Sequence, residues 1–273
     1  MLKQAQAAVA AIFLSSILSA CGGGSDADRP PALPGSISSD PSAAADDAPS
    51  GLMVGYYQED ASNNPEDPMP GTFYMNLPVR SGDYSGQMYY TYVGCQDENV
   101  GTISGNKTVD GDISGTWAGT VDGNPVGGPY EGQYSGNTGL YEGTYQNTGG
   151  KLHIQIEGCV DYHVAAHGTF KLFPVEVSWP TSFSLSKGDG DIVSWTHPAD
   201  AAYTFVTVID RAAALTDGTE AILYQDTQFV DPGSTGDAFN ASGFRQSGRE
   251  RIVVIVSFGS DDQMLAYSSI VIK

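Results

Sequence analysis

The sequence predicts an all-β chain with two strand-rich regions behind a processed N-terminus. Three observations carry that prediction. Apolar and aromatic residues alternate with polar ones at period two, as in Phe73-Met75-Leu77 and Leu152-Ile154-Ile156, which is the pattern of half-buried antiparallel strands. Turn signals such as Asp110-Gly111, Asp122-Gly123, Gly127-Gly128, Asn137-Thr138-Gly139 and Asn147-Thr148-Gly149-Gly150 fall between these runs. The chain holds 34 glycines and 15 tyrosines without a collagen period, so tight turns are frequent.

Residues 1–20 read as a signal peptide. Lys3 is the only charge there, and Ala7 to Ile17 is apolar except for two serines. A basic start, a short apolar run and small residues at the end are the grammar of secretion. The run is too short to span a membrane, which takes about 20 apolar residues. Its end, Leu18-Ser19-Ala20-Cys21, resembles the lipobox of bacterial lipoproteins. The resemblance implies cleavage before Cys21 and acylation of its thiol. Several acyl chains anchor a protein stably at about 0.8 kcal/mol per buried methylene. By the same resemblance, Gly22 in place of Asp after the cysteine favours the outer membrane of a Gram-negative bacterium, with the body facing the periplasm or the cell surface.

Residues 21–50 form the acylated cysteine and a linker. Five prolines with Gly, Ser, Ala and Asp leave Leu33 and Ile37 as the only large aliphatics. Such a segment buries too little apolar surface to offset its ordering entropy and is expected to be disordered. As a coil it spans roughly 30 Å. The full chain carries a formal charge of −20; without a signal holding one lysine and no acid it has 11 basic and 32 acidic residues, or −21. The acids are spread along the chain, so nucleic acid and anionic lipid headgroups are disfavoured as partners, whereas cations are not.

The first folded region, 51–173, is expected to be a Gly/Tyr-rich antiparallel meander, closed as a barrel or packed as a sandwich. Phe73 to Leu77 and Met88 to Val93 alternate first. Ile113-Gly115-Trp117-Gly119-Val121 share a face, followed by Tyr130-Gly132-Tyr134 and Tyr141-Gly143-Tyr145. Leu152 to Glu157 and Phe170-Leu172 complete the set. A ring on one strand covers the bare backbone of a glycine on the next, and glycine permits the bends of closure. The aromatics have two readings. They fill a core, or Trp117, Tyr130, Tyr134, Tyr141 and Tyr145 line a cavity or face for a sugar or lipid.

Once Cys21 is assigned to lipid, Cys95 and Cys159 remain as a pair, and an oxidising compartment favours a disulfide between them. Closing that loop stabilises by about 4 kcal/mol on the chain-entropy account. Asp161, His163 and His167, with Glu157 upstream, would offer zinc a carboxylate and two imidazoles. Their spacing matches no zinc motif, and exposed histidines are the plainer reading. Asp97-Glu98 and Asp110/Asp112 lack the EF-hand pattern. No nucleophile elbow, phosphate loop or dinucleotide fingerprint occurs. Neither a catalytic residue nor a metal or other cofactor is therefore expected.

From Pro174 to Lys273 the strands turn aliphatic. Val175 to Val177, Ile192 to Thr196, Tyr203 to Ile209, Ala221 to Tyr224, Phe229-Val230, Arg251 to Phe258 and Tyr267 to Ile272 give roughly seven strands in about 100 residues, the density of an immunoglobulin-like sandwich. One helical turn is expected at Arg211 to Thr216. Val193-Ser194-Trp195-Thr196-His197-Pro198, Tyr203 to Val208 and Ser269-Ile270-Val271-Ile272 resemble the second, third and last strands of a fibronectin type III domain. Where that family places a tyrosine in the penultimate strand, this chain has the aliphatic run Ile252 to Val256.

These readings converge on a non-catalytic, lipid-anchored envelope protein. It would touch the membrane through its N-terminal lipid and bind a glycan, lipid or protein partner. The alternatives are a polysaccharide-acting enzyme or its carbohydrate-binding accessory, and a structural component of an envelope assembly.

Overall fold

The computed structural model describes residues 48–60, 70–91, 98–121, 123–149, 152–155, 161–164, 167–216, 221–261 and 263–273. Cys21, Cys95 and Cys159 lie outside them, as does the linker up to residue 47. The chain is all-β, and Ser39–Lys273 is one compact unit.

The first region is a closed barrel of eight antiparallel strands. They are β1 (Gly51–Glu59), β2 (Pro70–Leu77), β3 (Gly82–Thr91), β4 (Glu98–Lys107), β5 (Ile113–Val121), β6 (Asn124–Ser135), β7 (Leu140–Gln146) and β10 (His167–Pro174). β8 (Leu152–Gln155) and β9 (Asp161–Val164) form a separate hairpin between β7 and β10. Each strand pairs with its sequence neighbour, and β1 closes the ring by pairing with both β2 and β10. Connections at one end are short turns, 78–81, 108–112 and 136–139, whereas those at the other end include 60–69, 92–97 and 147–166. Gly127 and Gly128, expected as a turn, lie inside β6. A Cβ at Gly128 would collide with the Gln146 carbonyl and one at Gly127 would crowd that of Trp117, so these glycines serve close strand approach rather than reversal.

The second region is a sandwich. One sheet has the order β11 (Ser178–Trp179), β18 (Met264–Ile272), β17 (Arg251–Gly259), β14 (Ala201–Asp210), β15 (Ile222–Phe229). The other has the order β12 (Ser186–Lys187), β13 (Ile192–Thr196), β16 (Gly236–Asn240). Counting from β12, strands one, two and five face strands four, three, six and seven, as two packed antiparallel sheets. Ala221–Tyr224 and Phe229-Val230, expected as two strands, form the single strand β15, and the helical turn is α1 (Arg211–Ala214), capped by Asp210.

The five-stranded sheet is the middle layer of the unit. Val193, Trp195, Val206, Val208, Val253 and Ile255 fill the space between the two sandwich sheets. On the opposite face, Phe205, Ile252, Val254, Val256, Phe258 and Tyr267 pack against Leu52, Val54, Tyr56, Tyr74 and Phe173 on the barrel wall. Phe173 stacks on Tyr267 at 3.8 Å and 6°, and Tyr56 meets Phe258 at 4.5 Å. Thr72 and Thr207 hydroxyls meet at 3.1 Å in the same buried seam. All nine residues of β17 are buried, which accounts for the aliphatic run at the place where a fibronectin-type strand carries its tyrosine.

We predict that Phe173→Ala lowers stability by about 3–5 kcal/mol. Urea unfolding followed by far-ultraviolet dichroism and by tryptophan fluorescence should shift to lower denaturant in both signals together. Separated transitions would show barrel and sandwich unfolding independently.

Candidate functional site

The barrel interior is where sequence places its ligand candidates. Alternation brings Tyr57, Phe73, Met75, Met88, Ile103, Trp117, Tyr130, Tyr145 and Phe170 inward around a cavity of about 30 Å³. One water needs about 10–15 Å³, and ligand pockets run to about 300–1,000 Å³. The interior is thus a packed core, and a sugar ring or acyl chain has no room in it. Trp117, Tyr130, Tyr141 and Tyr145 are buried in that core and Tyr134 packs against it, the arrangement of the core-filling reading of the two that the sequence leaves open.

Their packing explains the glycine pattern. The Phe170 ring lies over Gly132 and Gly143, the Phe73 ring over Gly55, and the Tyr57 ring over Gly71. The ring contacts are edge-on: Phe73–Phe170 at 5.7 Å, Tyr130–Phe170 at 6.0 Å and Trp117–Tyr145 at 5.9 Å, the arrangement that ring quadrupoles favour. Polar atoms are placed as carefully. The Tyr130 hydroxyl lies 2.7 Å from the Tyr84 hydroxyl and 3.3 Å from the Ser104 carbonyl. A Cβ at Gly105 would overlap both hydroxyls. The Trp117 indole donates to the Gln146 carbonyl at 2.9 Å.

The two barrel ends differ. At the short-turn end the chain enters along Ala48, which packs against the core, and Pro49, whose carbonyl accepts from Lys107 at 3.3 Å and from Tyr141 at 3.5 Å. Lys107 is buried and also donates to the Pro78 carbonyl. Burial holds its pKa below the usual lysine value. This plug has no signature except a lone lysine in register with inward positions. At the long-connection end Glu59 is buried, and His167 sets its Nδ1 3.2 Å from the Asp60 carboxylate. His167 therefore engages a residue that the zinc reading does not include. Asp161 and His163 sit on the hairpin, where the register sets His163 opposite His153 and Asp161 opposite Gln155; Glu157 lies outside the described residues. Among the described residues no three His, Cys, Asp or Glu side chains converge as metal ligands.

Outside the barrel, a groove of about 270 Å³ follows the seam between barrel and sandwich, lined by Tyr56, Gln58, Thr169, Lys171, Gln263 and Met264. The Lys171 ammonium lies 4.9 Å above the Trp179 ring and 3.3 Å from Glu142. A shallower hollow of about 520 Å³ lies at the sandwich tip around His197, Asp200 and Asp231. No protein-family model matches the chain, and neither curated proteins nor solved structures match it.

Burial pushes the Tyr84 hydroxyl up to about 12 and also raises Tyr130, Tyr141 and Tyr145 above the ordinary tyrosine value. The unfolded chain ionises its tyrosines near pH 10. Stability is therefore complete below that pH and falls as pH rises through about 10–12, where the unfolded state loses protons that the fold retains. Alkaline titration should show tyrosinate absorbance in two stages, with the second coinciding with loss of near-ultraviolet dichroism. Gly105→Ala should lower the midpoint of that second stage.

Proposed function

We propose that this chain is an outer-membrane lipoprotein, acylated at Cys21, that works without catalysis by presenting a rigid two-module body to a partner. The observation that carries the anchoring is Leu18-Ser19-Ala20-Cys21 at the end of a short apolar signal. The packed barrel supports recognition through surfaces over recognition through a pocket. The longer connections, 60–69, 92–97 and 147–166, leave the barrel at the end opposite the entering linker, and long connections on a rigid scaffold are where recognition residues concentrate. The partner is a protein or glycan reached from that end.

Cells fed labelled palmitate should incorporate label into the chain and retain it in the outer-membrane fraction. Cys21→Ser should lose the label and move to the soluble fraction. Label retained by that variant would overturn the anchor.

Cys95 and Cys159 are proposed to form the disulfide of the mature protein. The strand ends that flank them, Thr91 with Glu98 and Gln155 with Asp161, are paired across their connections. The denatured, unreduced protein should bind no thiol reagent at these two positions, and reduction should cost about 4 kcal/mol.

A further inference from the structure

Two of the chain's four histidines, His153 and His163, lie on the hairpin between β7 and β10. The register makes them direct partners across the strand pair. Register partners share a face of a hairpin, and successive residues alternate between its faces. One face therefore holds Leu152, Ile154, Tyr162 and Val164, and the other holds His153, Gln155, Asp161 and His163. The hairpin sorts its apolar residues from its ligand-class residues completely.

Strand pairing replaces the set that sequence spacing suggests. Asp161, His163 and His167 are near in sequence, but His167 starts β10 and sets its Nδ1 3.2 Å from Asp60. His153 takes its place by pairing with His163. The fourth histidine, His197, lies at the sandwich tip.

Geometry and stability both favour an ion between opposed histidines. Opposed Cβ atoms are about 4.5–5.5 Å apart. Two nitrogens on one tetrahedral zinc are about 3.3 Å apart, given Zn–N bonds of about 2.0–2.1 Å. A register pair thus matches a shared ion without backbone movement. The hairpin is a separate two-stranded sheet of four-residue strands, and such a sheet is marginal by itself in water. Opposed imidazoles repel once both are protonated, whereas an ion held by both ties the strands together. The formal charge of −20 also raises the concentration of cations around the chain.

We propose that His153 and His163 bind one divalent ion of the zinc or copper class. Imidazole selects these ions over calcium and magnesium, which take oxygen ligands. Two protein nitrogens are the core of the site, and water or a partner's donor group completes the shell. Asp161, in the adjacent register pair on the same face, supplies a carboxylate beside the ion. This site goes beyond the anchoring and partner reading and does not rest on it.

The test uses the mature chain carrying Cys21→Ser, unreduced. Zn2+ calorimetry should give one saturable site, and Cu2+ electron paramagnetic resonance should show two coordinated imidazole nitrogens. H153Q and H163Q should each abolish the saturable Zn2+ site and leave one nitrogen on Cu2+. D161N should weaken Zn2+ binding about tenfold. H167Q and H197Q should bind as the parent does. In the parent, substoichiometric Cu2+ should broaden the ring resonances of two histidines and spare the other two, a readout that needs no variant to fold. Absence of saturable uptake, unchanged binding in H153Q, loss of binding in H167Q, or equal broadening of all four histidines would overturn the inference.

Discussion

Strand β1 has no solvent face over most of its length, and the architecture depends on that. Met53 and Tyr57 point into the barrel, whereas Leu52, Val54 and Tyr56 point into the sandwich. The same strand closes the barrel by pairing with β2 and β10. A break in β1 would open the ring and strip the seam together. β17 is its counterpart across that seam, with one row of aliphatics toward β1 and the other toward the second sandwich sheet. Burying both faces of two strands raises the apolar area that a chain of this size removes from water, at about 25 cal/mol per Å². It also excludes the motions that two modules joined by a flexible linker would have.

Strands with one wet face are legible in the sequence, and strands with two buried faces or with small residues are not. Tyr141-Gly143-Tyr145 alternates because its reverse side, Glu142, Thr144 and Gln146, meets solvent. Gly51–Glu59 reads Gly-Leu-Met-Val-Gly-Tyr-Tyr-Gln-Glu, with no alternation, because both sides are covered. Glu98–Lys107 carries little apolar bulk, because Gly101 and Gly105 leave room for Met88 and for the Tyr84 and Tyr130 hydroxyls. Gly236–Asn240 has one large apolar residue, Phe239. The alternation rule passes over all three. Gly127-Gly128 misleads in the other direction, since a glycine pair serves close strand packing as well as turns.

The aromatic set shows the same limit at the level of the site. Alternation identifies Trp117, Tyr130, Tyr141 and Tyr145 as a shared inward face. Whether an inward face encloses space depends on how many large side chains point into one ring of strands, and that is a property of closure. Here Phe73, Met75, Met88 and Phe170 enter from the remaining strands and fill the volume. The glycines between the aromatics are the residues that let the rings lie against backbone. Lys107 and Pro49, which close one end, are invisible until the barrel brings residues 58 positions apart into contact.

Charge is a sum in the sequence and a distribution in the fold. The total favours solubility and repulsion from anionic surfaces, yet Coulomb interactions at ordinary ionic strength reach only about 8 Å. On a body of this size each face therefore acts by its own groups. Asp210 shows how the distribution is built: its carboxylate caps α1 through the Ala212 and Ala213 amides and receives both Arg249 and Arg251. The side-chain and backbone donors around it hold its pKa below the ordinary carboxylate value against the desolvation that would raise it. Each such acid organises two cations at one place, so six basic residues of the described chain are gathered around Asp191, Asp210 and Glu250 by the needs of the fold.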